Sequence, residues 1–333
     1  MFRTLGARLF AAEQGGNYYF TSLCMEHKKK KDLLSLVEFS PEAIRTMLTQ
    51  ARKFKRNRLR NERKIFSNKT GVLIFEKPSL RTRITFETAI HELGGHAITL
   101  TSDMVGIGKR ETPEDVARNL ERWVHLIVAR TYSHSTVEQL ARYSSIPVIN
   151  ALTDTFHPCQ ALAFAMTLDE HCKGKKKKKV VFIGDSNNVC NSIMVICAKL
   201  GHDFTVACPA GYEPVKDIWN TASEIARKSG ASLAVTHDPA GAVAGADAIY
   251  TDVWTSMGQE KESEKRRRDF AGFQVNEKLI NLAPAGAIVS HCLPAHRGEE
   301  ITSGVLDSKR SVAFDEAENR LHVQKAVIVY LFS

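Results

Sequence analysis

The chain has 333 residues, of which 43% are hydrophobic and 25% charged, and it carries a formal net charge of +9. That length and composition suffice for two ordinary buried cores, while the longest apolar runs fall far short of the roughly 20 residues that cross a bilayer. Seven cysteines without a CxxC pair argue against both a disulfide framework and a zinc site. The basic excess is gathered into runs at 28–31, 52–63, 175–179 and 266–268 with almost no interleaved aromatics. Such runs read as solvated faces and loop edges rather than a nucleic-acid surface.

In chain order, the leader MFRTLGARLFAAEQ carries Arg3 and Arg8 and no acid before Glu13. This fits either a mitochondrial transit peptide or a disordered tail over residues 1–30, which places the protein in the mitochondrial matrix in the first case and the cytoplasm in the second. Ser40 and Pro41 then open a predicted amphipathic helix with Ile44, Met47, Leu48 and Ala51 on one face. GVLIFEK is a short strand, a helix follows from about Leu80 to Leu93 before Gly94 and Gly95, and HAITLT returns as a strand. TPEDVARNLERW, HLIVARTY, TVEQLARYS and IPVINAL continue the alternation as helix, strand, helix and strand. After a helix that begins at HPCQ, the lysine run 175–179 is predicted as an exposed turn. VVFIGD opens a second alternating system in which DFTVACP, SLAVTHD, AIYTDVW, AIVSHCLP and SVAFDEA supply strands, and a last helix starts near Asn319. The predicted class is therefore α/β, two domains with mainly parallel sheets flanked by helices. Cys190 and Cys197, seven apart on a predicted helix, read as core residues.

FEKPSLRTR places Lys77, Arg81 and Arg83 beside Ser79 and Thr82, just behind a strand. Free N–H groups of a helix's first turn, two hydroxyls and a guanidinium fork make a seat for a phosphate. Arg130 ends a strand where open α/β sheets bind ligands. His157, before Pro158 at a helix start, has Gln160 three residues on, so imidazole and amide can face one point. VVFIGDSNN follows a strand but lacks the glycines of a dinucleotide fingerprint, which removes a nicotinamide-dependent oxidoreductase.

SLRTR at 79–83, Arg130, HPCQ at 157–160, DVWTSMG at 252–258, HCLP at 291–294 and FDEAENR at 314–320 together resemble the ornithine carbamoyltransferases, in order, over roughly residues 33–333. The resemblance implies a carbamoyl-phosphate-binding domain over 31–165, an ornithine-binding domain over 166–318, a helix over 319–333 packing back on the first domain, and a homotrimer. It implies that carbamoyl phosphate meets Ser79, Leu80, Arg81, Thr82, Arg130, His157, Gln160, Cys292, Leu293 and Arg320, with Thr82, Arg130, His157 and Cys292 at the chemistry. Asn188, Asp252, Ser256 and Met257 would hold ornithine. The implied products are L-citrulline and phosphate, a step of arginine biosynthesis or urea-cycle type, with no metal or organic cofactor, no nucleic acid and no membrane. The family's HPxQxLAD is here HPCQALAF, with Phe164 where an acid is expected. A carbamoyltransferase for putrescine or N-acetylornithine, and a non-catalytic homologue, are the competing readings.

Overall fold

Among the described residues, nine parallel strands make two sheets. In the computed structural model, which describes residues 30–58, 64–256 and 258–333, β1 (Thr70–Phe75), β2 (His96–Thr101), β3 (Leu126–Arg130) and β4 (Val148–Leu152) lie in the order β2-β1-β3-β4. The second sheet, β5 (Lys179–Ile183), β6 (Asp203–Ala207), β7 (Leu233–Thr236), β8 (Ala248–Thr251) and β9 (Ile288–His291), runs β7-β6-β5-β8-β9. The predicted α/β class with two mainly parallel sheets is what the chain adopts.

The strands read as continuous apolar runs because both faces are covered. Along β1, Leu73 and Phe75 enter one apolar cluster while Val72 and Ile74 enter another; along β5, Val180 and Phe182 part from Val181 and Ile183 in the same way. The cluster that takes Leu73 and Phe182 is shared by both sheets and also holds the helices Pro41–Arg56, Pro158–His171 and Ala313–Leu331. The first helix starts as predicted, with the Ser40 hydroxyl accepting from Ala43 N–H and Pro41 in the first turn.

Three expectations need correction. SVAFDEA is not a strand and the last helix does not wait for Asn319: the helix begins at Ala313, and Ser311 contributes only an isolated bridge to Val289. Asp315 and Glu316 in the first turn suit a helix N-terminus, and the apolar alternation of V-A-F misled. The lysine run is not a uniform exposed turn, since Lys178 is buried against Asp169 at 2.8 Å and Lys179 is the first residue of β5. In the run 266–268, Arg266 is buried and bonds Asp185, Glu262 and the Trp254 carbonyl. The leader and Met257 lie outside the described residues.

Candidate active site

Each sheet reverses its winding once, and ligands of open α/β sheets bind outside the strands' carboxyl ends at such a point. In the first sheet the reversal falls between β1 and β3, where Phe75 pairs Arg130; in the second it falls between β5 and β8, where Ile183 pairs Thr251. The loop after β1 carries Lys77 to Ser79, β3 ends in Arg130, the turn after β5 leads to Asn188, and β8 runs into Asp252. Gly184, at φ 139°, allows that turn a backbone an L side chain rarely adopts. All four ends open on one cleft of about 510 Å³. Its walls hold Ser79, Leu80, Arg81, Thr82, Arg130, His157, Gln160, Asn188, Asp252, Ser256, Cys292, Leu293 and Arg320, which is every site residue predicted from the sequence except Met257. Pro78, Leu152, Val189, Val253, Thr255 and His296 line it as well. The sequence reading gave them no role because none offers an obvious charge or phosphate contact; the available signals were the places of Pro78 inside FEKPSLRTR, of Val253 and Thr255 inside DVWTSMG, and of His296 two residues after HCLP.

The phosphate seat forms as its residues suggest. Ser79 is the N-cap of the helix Leu80–Glu92, its hydroxyl accepting from Thr82 N–H at 3.3 Å, so the first-turn N–H groups lie at the cleft. Arg81, Arg130 and Arg320 share the same cleft. Burial and then Arg320 pull the Arg130 guanidinium down to about 10, while burial, with Arg81 adding to it, lowers Arg320. Three cations that disfavour one another's charge make a wall suited to a dianion. Lys77, also on the wall, places its Nζ 4.5 Å from the Tyr132 ring centroid.

His157 and Arg320 are buried, and His157 Nδ1 and Arg320 Nε have no hydrogen-bond partner among the described residues. Burial, then Arg320, Arg130 and Arg81, hold the His157 imidazole well below its usual range, so it is neutral near pH 7. Its backbone N–H donates to Ser192 Oγ at 2.7 Å, fixing the helix Pro158–His171 to the helix Asn188–Leu200. Arg320 donates to Gln160 Oε1 and, at 3.3 Å, to Thr82 Oγ1. Gln160 Nε2 donates to Glu316 at 2.5 Å.

Across the second sheet, Asp252 is buried and accepts from Asn187 Nδ2, its neighbour Val253 N–H and the Cys292 thiol, each at 2.8 Å. Burial and then Asp252 push the Cys292 thiol well above its usual range, so it stays a protonated donor and is no nucleophile. Asn188 Nδ2 donates to the Thr153 carbonyl at 2.5 Å, which bridges the two halves and leaves its second amide hydrogen for a ligand. Beneath Cys292, His291 Nδ1 accepts from Leu293 N–H at 2.8 Å, so Nε2 carries the proton and faces Glu300 at 3.1 Å. This pair holds Leu293 at φ 54°. Asp252, His291 and Cys292 are close enough to share a metal ion, but both ring nitrogens of His291 are engaged, which removes one ligand of the three.

Comparisons with known proteins agree with this geometry. Residues 31–170 match the carbamoyl-P binding domain of aspartate/ornithine carbamoyltransferase, and residues 176–331 match the Asp/Orn binding domain of the same family. The chain is 51% identical over 304 residues to an ornithine carbamoyltransferase from Pyrococcus horikoshii, spanning 91% of this chain and 96% of that one. The solved structure of ornithine carbamoyltransferase from Pyrococcus furiosus superposes with a TM-score of 0.86 at 49% identity, over 90% of this chain and 96% of that one. The anabolic ornithine carbamoyltransferase of Campylobacter jejuni gives 0.87 at 40% identity, over 90% and 98%. By sequence, sheet topology and cleft alike, the chain belongs to the aspartate/ornithine carbamoyltransferase family.

Proposed function

We propose that the chain transfers the carbamoyl group of carbamoyl phosphate to the δ-amine of L-ornithine, giving L-citrulline and phosphate. The observation that carries this reading is the gathering of Arg81, Arg130, Arg320 and a helix N-terminus in one cleft with the Asp252 carboxylate. The cations and the Ser79–Thr82 turn seat the phosphate; Asp252 pairs the α-ammonium of the amino acid, Asn188 its α-carboxylate, and Ser256 and Met257 border the aliphatic stem. The residue ranges proposed from the sequence divide the labour accordingly, 31–165 for carbamoyl phosphate and 166–318 for ornithine.

The neutral δ-amine attacks the carbamoyl carbon, forming an N–C bond and a tetrahedral intermediate whose oxygen gains negative charge. Thr82, Arg130 and neutral His157 serve as donors to that oxygen, and preorganised donors of this kind supply much of the rate enhancement in acyl transfer. The C–O bond to phosphate then breaks, and phosphate accepts the amine's proton. Gln160 Oε1 and the Leu293 backbone address the carbamoyl NH₂. The Cys292 thiol fixes Asp252 and takes no covalent part.

A homotrimer is the proposed assembly. Leu80, Ile84, Ile98 and Met104 are all exposed, Leu80 and Ile84 one turn apart on the helix Leu80–Glu92 and Ile98 on the edge strand β2. The compartment follows the leader, matrix if it is imported and cytoplasm if it is not; no helix among the described residues is long and apolar enough to cross a membrane.

The test is product formation from carbamoyl phosphate with ornithine and, in parallel, putrescine, N-acetylornithine and aspartate. Citrulline from ornithine alone is expected, and activity only with another amine overturns the assignment of Asp252 and its loop. Arg81→Ala should raise the KM for carbamoyl phosphate roughly 10- to 100-fold, as loss of a charge-assisted bond does. Lysine at 81 should not restore it, because it lacks the planar fork; an unchanged KM in Arg81→Ala removes the phosphate seat.

A further inference from the structure

Glu316 lies in the first turn of the helix Ala313–Leu331, fully buried, and stands behind the cleft rather than on its walls. Its two oxygens receive three donors from three other elements. Gln160 Nε2 (2.5 Å) and Tyr250 Oη (2.9 Å) reach Oε1, and the Ser290 hydroxyl reaches Oε2. Tyr250 lies on β8 and Ser290 on β9, whereas Gln160 lies on the helix Pro158–His171. The Gln160 amide nitrogen can only donate, and the two hydroxyls donate as well when the carboxylate is ionised.

A glutamine amide has two edges of opposite character, and only one of them can serve a carbamoyl NH₂. With Nε2 committed to the carboxylate, Oε1 is left for donors, as its bond from Arg320 shows. We propose that Glu316 is a positioning residue: by accepting the Gln160 N–H it fixes which edge of that amide meets the carbamoyl group, and through Tyr250 and Ser290 it anchors that orientation to the second sheet. The proposal rests on the carbamoyl role given to Gln160 above.

Protonation is the natural way to undo this arrangement, since a neutral acid must turn one oxygen into a donor. Burial raises the Glu316 carboxyl to about 7, against the three hydrogen bonds and Arg320, which lower it. The other titratable or charged groups around this cluster are the Tyr250 phenol, the Cys292 thiol, Asp252 and the Cys159 thiol. Burial pushes the phenol and both thiols upward, so they remain protonated through the neutral range. The active orientation is therefore complete above about pH 7 and is lost as pH falls through that value.

The experiment is calorimetric binding of carbamoyl phosphate without ornithine, between about pH 5.5 and 8.5, to the full chain and to Glu316→Gln, Gln160→Ala, the double variant and Tyr250→Phe. Glu316→Gln should weaken binding at pH 8 roughly 10-fold or more and lose the decline that the unaltered chain shows below about pH 7. The double variant should bind no worse than Gln160→Ala, because Glu316 acts through Gln160. Tyr250→Phe, which keeps the ring, should move the decline to higher pH, since one donor to the carboxylate is gone. Additive losses in the double variant, or an unmoved pH profile in Tyr250→Phe, overturn the positioning role while leaving the Gln160 assignment standing. Undiminished binding in Gln160→Ala alone removes that assignment and the proposal with it.

Discussion

A carboxyl raised to about 7 in the folded chain, from the ordinary 4.5, has a consequence for stability as well as for binding. Between those two values the folded chain holds a proton that the unfolded chain has released, so unfolding becomes easier as pH rises from about 4.5 to about 7. The full difference is on the order of 3 kcal/mol, and Glu316→Gln escapes it. Urea midpoints at pH 5 and pH 8 should therefore show the variant gaining on the unaltered chain at the higher pH while binding carbamoyl phosphate less well. A gap between the two that does not change with pH would contradict the burial of an ionisable group there. The neutral His157, by contrast, costs the site nothing near pH 7, because its charged alternative, a fourth cation beside Arg81, Arg130 and Arg320, is already disfavoured.

The helix Pro158–His171 is buried without interruption from Pro158 to Leu168, which is why no amphipathic face marks it in the sequence. Phe164 sits at its centre, with its ring edge-on to Tyr250 at 5.0 Å between centroids, and Tyr250 in turn bonds Glu316. The residue that departs from the family's usual acid is thus a packing element of the Glu316 cluster. Restoring an acid by Phe164→Asp should destabilise the chain by at least ~3 kcal/mol, through the lost ring and a second carboxylate near the first; a thermal midpoint equal to that of the unaltered chain would contradict this. Strands, the phosphate turn and the first-half helices were legible because apolar runs, caps and glycines are local signals. The start of the helix at Ala313 was not, since V-A-F alternates like a strand and only the acids behind it mark a helix. The lysine run was misread for a related reason: the partners that order it, Asp247 for Lys175, Asp203 for Lys177 and Asp169 for Lys178, come from other elements of the chain. The Glu316 hub was invisible for the same cause, as its partners are 26 to 156 residues away.

On the scale of the molecule, two sheets contribute one reversal of winding each, and the cleft exists because the two reversals open on the same space. Assembly is tested there too: Ile84→Asp adds a charge to an exposed position and should leave the fold intact while lowering the mass measured by light scattering from three chains toward one. A single-chain mass for the unaltered protein would set the trimer aside. The halves are connected in sequence through the segment 172–178, where Lys175, Lys176 and Lys177 are exposed. They are connected a second time by the helix Ala313–Leu331, which leaves the second sheet beside β9 and packs on the helices Pro41–Arg56, Leu80–Glu92 and Pro158–His171. A single engineered cleavage site inserted between Lys175 and Lys177 should therefore open the chain between its halves, and the two fragments should stay together, run as one species in native electrophoresis, and part only in denaturant.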